Sequence, residues 1–399
     1  MYMTRPQRSN FARFWSLDEE VVFLNHGSFG ACPNFILEEQ QKWRNRLELE
    51  PVRFFEREAM PALRFSRQAL GTILKCDAND LALIDNATSG VNTILRSLVF
   101  ERGDEILVPD HAYQACKNAI DFVAERWGAK VVICPIPFPV SGHSEIVDLL
   151  VSNISDRTKL VMIDTVTSPT GLRMPFEKLS KEFEERDIEV LVDAAHGPGM
   201  IPLNLEKLGA SYVTGNCHKW LCAPKGSAFL YVRKDLQEKI HPLCISHGAT
   251  FPLGESTRFR HEFDWTGTQD ISSWCSLPEV ISGMTSIGAG DWGSIMETNR
   301  SLVLKGRTLI ADSLGSEIPC PDEMIASIAT IQISKETMGG IPIHEPDPLH
   351  ESLLDDYGIQ VPVWGWPSPK GRYIRISAQL YNHLDEYKFL AEILSDLEL

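Results

Sequence analysis

Short apolar runs recur between residues 81 and 232, and they constrain the fold more than any other feature of the chain. Six runs are rich in branched aliphatic residues and too short for helices, so we predict that they are buried strands. They are residues 81–84, 105–108, 130–133, 160–163, 189–192 and 228–232. Helix-like segments at 90–100, 113–127, 145–153 and 176–186 separate them. This alternation predicts an α/β fold with a mostly parallel sheet, helices on both faces, and ligands at the carboxyl ends of the strands.

Periodicity fades between residues 242 and 290, where glycine, proline and aromatic residues are frequent. A long amphipathic segment at 292–314 follows, and after it come strand-like and helix-like segments at 328–333, 349–357, 373–376 and 384–397. We therefore predict three parts of the chain. They are an N-terminal arm (1–25) that packs on the small domain, a large domain (26–285) and a small C-terminal α/β domain (286–399).

The 399 residues include 38 lysines and arginines against 54 aspartates and glutamates, which gives a formal net charge of −16. This balance disfavours binding to nucleic acid or to anionic lipid, because both need a basic surface. No apolar run approaches the roughly 20 residues of a membrane helix, and residues 1–10 do not form a secretory signal. Nine cysteines are scattered without a C-x-x-C pair. They indicate reduced thiols, so we expect a cytoplasmic protein with no metal site.

The segment VDAAHG at 192–197 places Asp193 directly after an apolar strand. An acid at this position points into the ligand crevice, where burial is costly unless a cation pairs with the carboxylate. A protonated pyridine nitrogen is one such cation. Capping of the next turn is the simpler explanation for a single aspartate. The motifs of P-loop enzymes, zinc proteases and serine hydrolases are absent from the sequence.

A second segment, GNCHKWL at 215–221, follows the strand-like residues 212–214. A lysine set among apolar and small groups, as Lys219 is, has its charged form disfavoured. Its neutral amine can then form a Schiff base. A surface loop lysine is the plainer interpretation of Lys219 alone, and the upstream Asp193 weighs against it.

The third segment, DNATSG at 85–90, lies between a strand and a helix. Small and hydroxylated residues there leave backbone N–H groups at the positive end of the helix dipole, which suits a phosphate. Ordinary N-capping by Thr88 or Ser89 explains the same residues equally simply.

Taken in order, the phosphate loop, the acid and the lysine resemble the fold-type I pyridoxal-phosphate enzymes, and specifically the class V aminotransferase family. The segments LNHGSFG at 24–30, NCHKWL at 216–221 and WTGTQD at 265–270 are similar to its isopenicillin-N epimerase and cysteine C–S lyase branch. The resemblance covers nearly the whole chain. It implies pyridoxal 5'-phosphate as cofactor, an amino acid or amino-acid derivative as substrate, and a homodimer with shared active sites.

The resemblance also implies a role for each matching residue. Lys219 would hold the cofactor as an internal aldimine and then move the Cα proton, and Asp193 would keep the ring nitrogen protonated. His111 would stack on the ring, or Tyr113 would do so in its place. The remaining assignments are Ala87, Thr88, Asn216 and His218 for the phosphate, Thr268 for the phosphate of the partner subunit, Ser168 and His196 for the ring hydroxyl, and Asn25, His26 and Arg375 for the substrate. Arg375 would clamp the carboxylate, whereas Arg372 fits an exposed strand arginine better.

The reaction is less constrained than the cofactor. Cysteine desulfurases of this family carry a nucleophilic cysteine shortly before the carboxylate arginine, but residues 361–369 contain none, so persulfide relay is disfavoured. An epimerase-like reaction is the first expectation and β-elimination by a C–S lyase stands nearly equal. Epimerisation needs a second acid or base, for which Tyr113 or His26 is the candidate. Transamination is also compatible with these residues, and so is a non-catalytic role in which the chain only binds the cofactor.

Overall fold

The computed structural model describes residues 5–254, 256–335, 347–366 and 371–397. Twelve strands are found in these residues. They are β1 (Val22–Phe23), β2 (Leu81–Ile84), β3 (Glu105–Pro109), β4 (Lys130–Cys134), β5 (Thr158–Asp164), β6 (Glu189–Asp193), β7 (Tyr212–Asn216), β8 (Ala228–Val232), β9 (Ile328–Ser334), β10 (Ile359–Gln360), β11 (Val363–Gly365) and β12 (Arg372–Ser377).

The described α-helices vary from single turns to a helix of 23 residues. They are α1 (His26–Phe29), α2 (Asn34–Leu49), α3 (Pro51–Arg53), α4 (Ala59–Leu74), α5 (Ala87–Ser97), α6 (Gln114–Trp127), α7 (His143–Ser152), α8 (Phe176–Glu184), α9 (Arg258–Asp264), α10 (Ser272–Cys275), α11 (Leu277–Ser286), α12 (Trp292–Leu314), α13 (Pro348–Asp355) and α14 (Leu384–Asp396). None of them is both long and apolar enough to span a membrane.

Seven strands form the large sheet in the order β2-β8-β7-β6-β5-β3-β4. The pairs from β7 to β4 are parallel, and only β8 runs antiparallel to its two neighbours. This confirms the predicted α/β fold, and every predicted strand of this region is present. Because β8 is reversed, its first residue lies at the same edge as the last residues of β5, β6 and β7.

Alternate residues of the central strands enter two separate apolar clusters, one on each face of the sheet. In β5, Val161 and Ile163 belong to one cluster, and Leu160 and Met162 belong to the other. All four are fully buried. Burial on both faces explains why the strands appear in the sequence as continuous apolar runs rather than as alternating patterns.

The C-terminal part has a three-stranded antiparallel sheet in the order β11-β12-β9, with α12 packed against the sheet and α14 packed against α12. Helix α12 begins after the N-cap Asp291 and ends before Gly315, which adopts the left-handed conformation, so its predicted bounds of 292–314 are confirmed. Arg372 corrects a prediction. It is buried and paired with Asp347 through an Nε–Oδ2 contact of 2.8 Å, so it is not an exposed strand arginine.

The arm contacts the C-terminal part at several points. Strand β1 pairs in parallel with β10, so that Val22 lies opposite Ile359. The backbone N–H of Ser9 donates to the carbonyl of Tyr381, and Arg5 donates to the carbonyl of Tyr357. The arm therefore supplies one strand of a two-stranded sheet whose other strand comes from the C-terminal part. The division of the chain at residues 25 and 285 stays a prediction.

Candidate active site

Polar residues from four strands meet at one edge of the large sheet. Asp164 ends β5, Asp193 ends β6, and Asn216 ends β7, while Ser227 directly precedes the reversed strand β8. The register places Asp164 opposite Asp193. This is the edge at which parallel sheets bind their ligands.

Lys219 lies on the turn that follows β7, and its side chain is half-buried. Burial lowers the pKa of Lys219 from 10.5 to about 8, and the positive charge of Arg375 contributes to this shift, while Asp193 acts in the opposite direction. The amine Nζ lies 3.2 Å from Nε2 of His196. A substantial share of the lysine is therefore neutral near pH 7–8, as nucleophilic attack requires.

Asp193 is fully buried, and its carboxylate has no charged partner among its described hydrogen bonds. Oδ1 accepts the backbone N–H of Ala195 at 2.9 Å, and Oδ2 accepts the thiol of Cys116 at 3.3 Å. Burial raises the pKa of Asp193 and of its neighbour Asp164, whose Oδ2 has no hydrogen-bond partner among the described residues. A buried carboxylate without a charged partner is stabilised by a cationic group such as a protonated ring nitrogen.

Three of the predicted phosphate residues, Ala87, Thr88 and Asn216, meet at the first turn of α5. Asn86 caps the helix by accepting the N–H of Ser89 at 2.9 Å, and the N–H of Ala87 donates to Oδ1 of Asn216 at 2.8 Å. The engaged N–H of Ala87 ties the helix start to the end of β7. Thr88, the next residue, is half-buried.

His218 and Thr268 differ in their surroundings. His218 bonds through Nδ1 to the carbonyl of Ser227 at 2.9 Å, and burial lowers its pKa to about 4, so it is neutral at pH 7. Thr268 is exposed and follows Gly267, whose φ of 139° favours glycine. Contact between Thr268 and a phosphate of another subunit stays a prediction.

His111 is fully buried behind the strand ends. Its Nε2 donates to the carbonyl of Ile136 at 3.0 Å, so Nδ1 accepts the hydroxyl of Thr170 at 2.7 Å. Burial lowers its pKa. The indole of Trp366 packs edge-on against the imidazole at 4.8 Å. A neutral ring with both nitrogens engaged suits a stacking role rather than proton transfer.

Arg375, on β12, is buried at the same site. It donates to the carbonyl of Ser168 and, at 3.1 Å, to Oγ of Ser28. Ser28 in turn donates to Oδ1 of Asn25 at 2.6 Å, and Trp364 lies over the guanidinium at 5.1 Å. Arg375 remains charged at neutral pH, although burial lowers its pKa to about 10. Three of the residues assigned to substrate or cofactor, Asn25, Ser168 and Arg375, therefore form one connected group.

His26 lies beneath the Lys219 turn and does not offer a free nitrogen to a substrate. Its Nε2 donates to the carbonyl of Lys219 at 3.0 Å, and Nδ1 accepts the phenol of Tyr381 at 2.8 Å. Burial lowers its pKa to about 3. These hydrogen bonds join His26 to the Lys219 turn, and its contact with a substrate stays a prediction.

Several residues at the site were given no role by the sequence. Trp220 donates its indole N–H to Nδ1 of His196 at 3.1 Å, and Cys116 bonds to Asp193. Trp364 and Trp366 cover Arg375 and His111 from the segment in which desulfurases carry their cysteine. Residues 367–369 of that segment lie outside the described residues. The tryptophan next to Lys219 is the only one of these whose sequence position gave a hint.

A half-buried lysine beside a strand-end aspartate, at the carboxyl edge of a parallel sheet, defines an enzyme of the pyridoxal-phosphate class. The chain belongs to the class V aminotransferase family, whose model matches residues 42–365, and its cofactor is pyridoxal 5'-phosphate. The residues fit this group, because Asp193 lacks a cationic hydrogen-bond partner within the described chain and the amine of Lys219 has a lowered pKa. In the described part of the chain, no cluster of three or more His, Cys, Asp or Glu side chains could hold a metal ion.

Relatives with two different activities match most of the chain. A probable L-cysteine desulfhydrase of Arabidopsis thaliana is 29% identical and covers 95% of this chain and 83% of its own length. Isopenicillin N epimerase of Streptomyces clavuligerus is 32% identical and covers 96% of both chains. The solved structure of the cystine C–S lyase C-DES with its product cysteine persulfide has a TM-score of 0.77 at 19% identity, covering 95% of this chain and 98% of its own. The chain is thus similar to enzymes that act on amino acids.

Proposed function

We propose that the protein breaks the Cβ–S bond of L-cysteine, or of a cysteine derivative, by β-elimination. The observation that supports this proposal is a single amine, Lys219, set among histidines that are already engaged. His26 and His111 each hold both ring nitrogens in hydrogen bonds within the chain. β-Elimination needs one base at Cα, whereas epimerisation needs an acid and a base on opposite faces of that carbon.

The charged side chains of Arg375, Asp193 and Lys219 each act at a different point of this reaction. The planar guanidinium of Arg375 can bind the substrate carboxylate through two parallel hydrogen bonds. Asp193 would keep the cofactor ring nitrogen protonated. Pyridoxal phosphate, when bound, supplies a sink for the electron pair left at Cα. Lys219 takes the Cα proton at its Nζ.

The bond changes balance without an oxidant. The electron pair of the broken Cα–H bond forms the Cα–Cβ double bond, and the sulfur leaves with the electron pair of the Cβ–S bond and takes up a proton. Hydrolysis of the resulting unsaturated amine releases pyruvate and ammonia. The sum is one cysteine and one water converted to pyruvate, ammonia and hydrogen sulfide.

Epimerisation is the second candidate, and the position of Tyr113 favours it. The Tyr113 side chain is 46% exposed, and its phenol lies near enough to Arg375 to act on its charge. A phenol beside the substrate site could serve as the second proton-transfer group. The 32% identity to an isopenicillin N epimerase supports the same candidate.

The first experiment adds L-cysteine to the purified enzyme and measures sulfide and pyruvate together. We expect equal amounts of both products, and we expect Lys219→Ala to abolish them because the amine that takes the Cα proton is gone. Racemisation or keto-acid formation without sulfide would contradict β-elimination. If neither product nor exchange of the Cα proton with deuterium oxide is seen for any amino acid, a non-catalytic role gains support.

Tyr113→Phe separates the two candidates, because it removes the phenol and keeps the ring. A C–S lyase retains its sulfide release in this variant. An epimerase loses inversion at Cα and keeps Cα proton exchange through Lys219. Phe122→Leu, an exposed substitution on the adjacent helix α6, is the matched control for folding.

We also propose that the enzyme is a cytoplasmic homodimer whose subunits share each phosphate site through Thr268. The described cysteines are all free thiols, which fits a reducing compartment. Neither nucleic acid nor membrane is proposed as a partner, since the net charge of −16 disfavours both.

A further inference from the structure

Two side chains, Trp220 and His196, stand in series behind the reactive amine of Lys219. The indole Nε1 of Trp220 lies 3.1 Å from Nδ1 of His196, and Nε2 of His196 lies 3.2 Å from Nζ of Lys219. Trp220 is adjacent to Lys219 in the chain, whereas His196 lies on the loop after β6. The imidazole of His196 thereby joins the loop after β6 to the turn that carries Lys219 and Trp220.

The donors and acceptors in this series have only one consistent arrangement. An indole N–H donates and never accepts, so Nδ1 of His196 is the acceptor. A neutral imidazole carries one N–H, which must then be on Nε2. Nε2–H donates to Nζ of Lys219, and Nζ can accept only as a neutral amine. If Lys219 were protonated, both its ammonium and the indole N–H of Trp220 would be donors to His196. A neutral imidazole has only one acceptor nitrogen.

We propose that Trp220 is a positioning residue, which holds His196 in its Nε2–H tautomer and thereby keeps Lys219 as the free base that attacks the cofactor and the Cα proton. This inference rests on the proposed role of Lys219 as the reactive amine. Trp220 acts through His196 and touches no reacting atom. Removal of the indole N–H frees His196 to accept at Nε2 from a lysine ammonium, which favours the charged lysine.

The indole is held in place by close packing. Trp220 is fully buried, and its ring lies 4.8 Å from the ring of His26. Gly199, with φ of 81°, approaches its backbone so closely that a Cβ there would lie 2.5 Å from the carbonyl carbon of Trp220. A side chain enclosed on these sides has little freedom to turn its N–H away from His196.

Other groups also act on the charge of Lys219, and Trp220→Phe leaves all of them in place. Arg375 on β12 disfavours the ammonium, and carboxyl and thiol groups at the strand ends and on α6 favour it. The latter groups are Asp193, Asp164 and Cys116. Any change in the pKa of Lys219 in the Trp220→Phe variant therefore results from the tautomer of His196 and not from the loss of a charged group.

The test measures tautomer and amine directly, in the full-length chain as purified and after removal of its cofactor. Nitrogen-15 NMR of histidine-labelled protein, with His196→Gln to assign the signal, should show a neutral His196 with an unprotonated Nδ1. Reductive methylation of the cofactor-free chain at a series of pH values, followed by peptide mass spectrometry, measures the neutral fraction of Lys219. The midpoint of this pH dependence should lie near pH 8. In Trp220→Phe, we expect the midpoint to rise by about one pH unit, which is a tenfold loss of neutral amine at pH 7.

The matched control is Trp292→Phe, which removes an indole N–H that donates to the carbonyl of Ile281 at 3.1 Å. Its midpoint for Lys219 should equal that of the wild type. A wild-type His196 that is protonated at Nδ1, or a Trp220→Phe midpoint equal to the control, overturns the inference. If Trp220→Phe does not fold, the wild-type NMR spectrum alone decides. None of these readouts depends on turnover, so failure of the proposed C–S lyase activity remains a separate result.

Discussion

Burial sets the protonation of three histidines at the candidate site. It lowers the pKa of His26 to about 3 and the pKa values of His111 and His196 below their usual range. All three are therefore neutral at pH 7, and Arg375 carries the fixed positive charge of the site. A substrate carboxylate that enters the site meets one strong cation rather than a diffuse positive field.

Arg375→Lys tests this division of charge. The change keeps the positive charge and removes the planar pair of donors, so we expect the KM for L-cysteine to rise about ten- to hundredfold. The reaction rate at saturation should change less. Steady-state sulfide release measures both constants, and the visible absorbance of the bound cofactor should stay the same.

The control for Arg375→Lys is Arg372→Lys on the same strand. Arg372 is paired with Asp347, so its replacement should lower the melting temperature and leave KM unchanged. A KM for Arg375→Lys within about twofold of the wild-type value would show that another group holds the carboxylate.

Residues whose neighbours in the sequence reveal their surroundings could be predicted from the sequence. Asp193 follows an apolar strand and Lys219 lies in an apolar turn, so both could be predicted. The prediction failed for Arg372, because its partner Asp347 is distant in sequence. The contacts of His26 with Tyr381 and with the Lys219 carbonyl also join distant segments, and no local pattern encodes them.

The start of helix α5 is fixed by its close approach to β7. Gly90 lies in the first turns of the helix, and a Cβ at this position would lie 2.0 Å from Oγ1 of Thr214. Thr214 is itself held by a hydrogen bond to the carbonyl of Phe229 at 3.0 Å. The helix can therefore approach the strand this closely only with glycine at position 90.

Gly90→Ala should move the start of α5 away from β7 and loosen the phosphate site. We expect the dissociation constant for pyridoxal phosphate to rise by about tenfold or more and the protein to lose about 1–3 kcal/mol of stability through overpacking. Titration of the cofactor-free chain by fluorescence and a thermal melt measure the two effects. Gly293→Ala in helix α12 is the control, because the nearest atom there lies 3.5 Å away and alanine favours helix. Equal cofactor affinity in the two variants would contradict the assignment of this helix end.

Helices and strands with clear end signals were predictable to within a few residues. Helix α12 has an N-cap aspartate and a terminal glycine, and the strands have uninterrupted apolar runs. The reversal of β8 was not predictable from its composition, because burial on both faces gives parallel and antiparallel strands the same sequence pattern. Strand direction depends on the path of the connecting chain.

Large apolar side chains are exposed at many positions of the described chain, including one beside the site and four after β8. Phe29, next to Ser28 of the site, is 76% exposed, and the segment after β8 exposes apolar residues as well. The latter are Leu243, Ile245, Phe251 and Leu253. Exposed apolar side chains in such number are typical of a surface that another chain covers. They support the proposed homodimer.

Subunit mixing tests the shared site. Thr268→Val should weaken phosphate binding, and Lys219→Ala should abolish activity in its own site. If each site takes Lys219 from one subunit and Thr268 from the other, a mixed dimer of the two variants has one intact site. We expect the refolded mixture to recover about a quarter of wild-type activity, because half of the dimers are mixed and each has one intact site of two. A mixture no more active than Thr268→Val alone would contradict sharing, and a monomer by light scattering would contradict the dimer.

The pairing of β1 with β10 has a consequence for synthesis of the chain. Val22 leaves the ribosome long before its partner Ile359, so the arm stays unpaired until the strand that contains Ile359 has also been made. Contacts so far apart in sequence form late in folding, after the large sheet can already assemble from neighbouring segments. A fusion partner or a chaperone that holds the arm during translation would thus delay the C-terminal part of the molecule, although the two are far apart in the gene product.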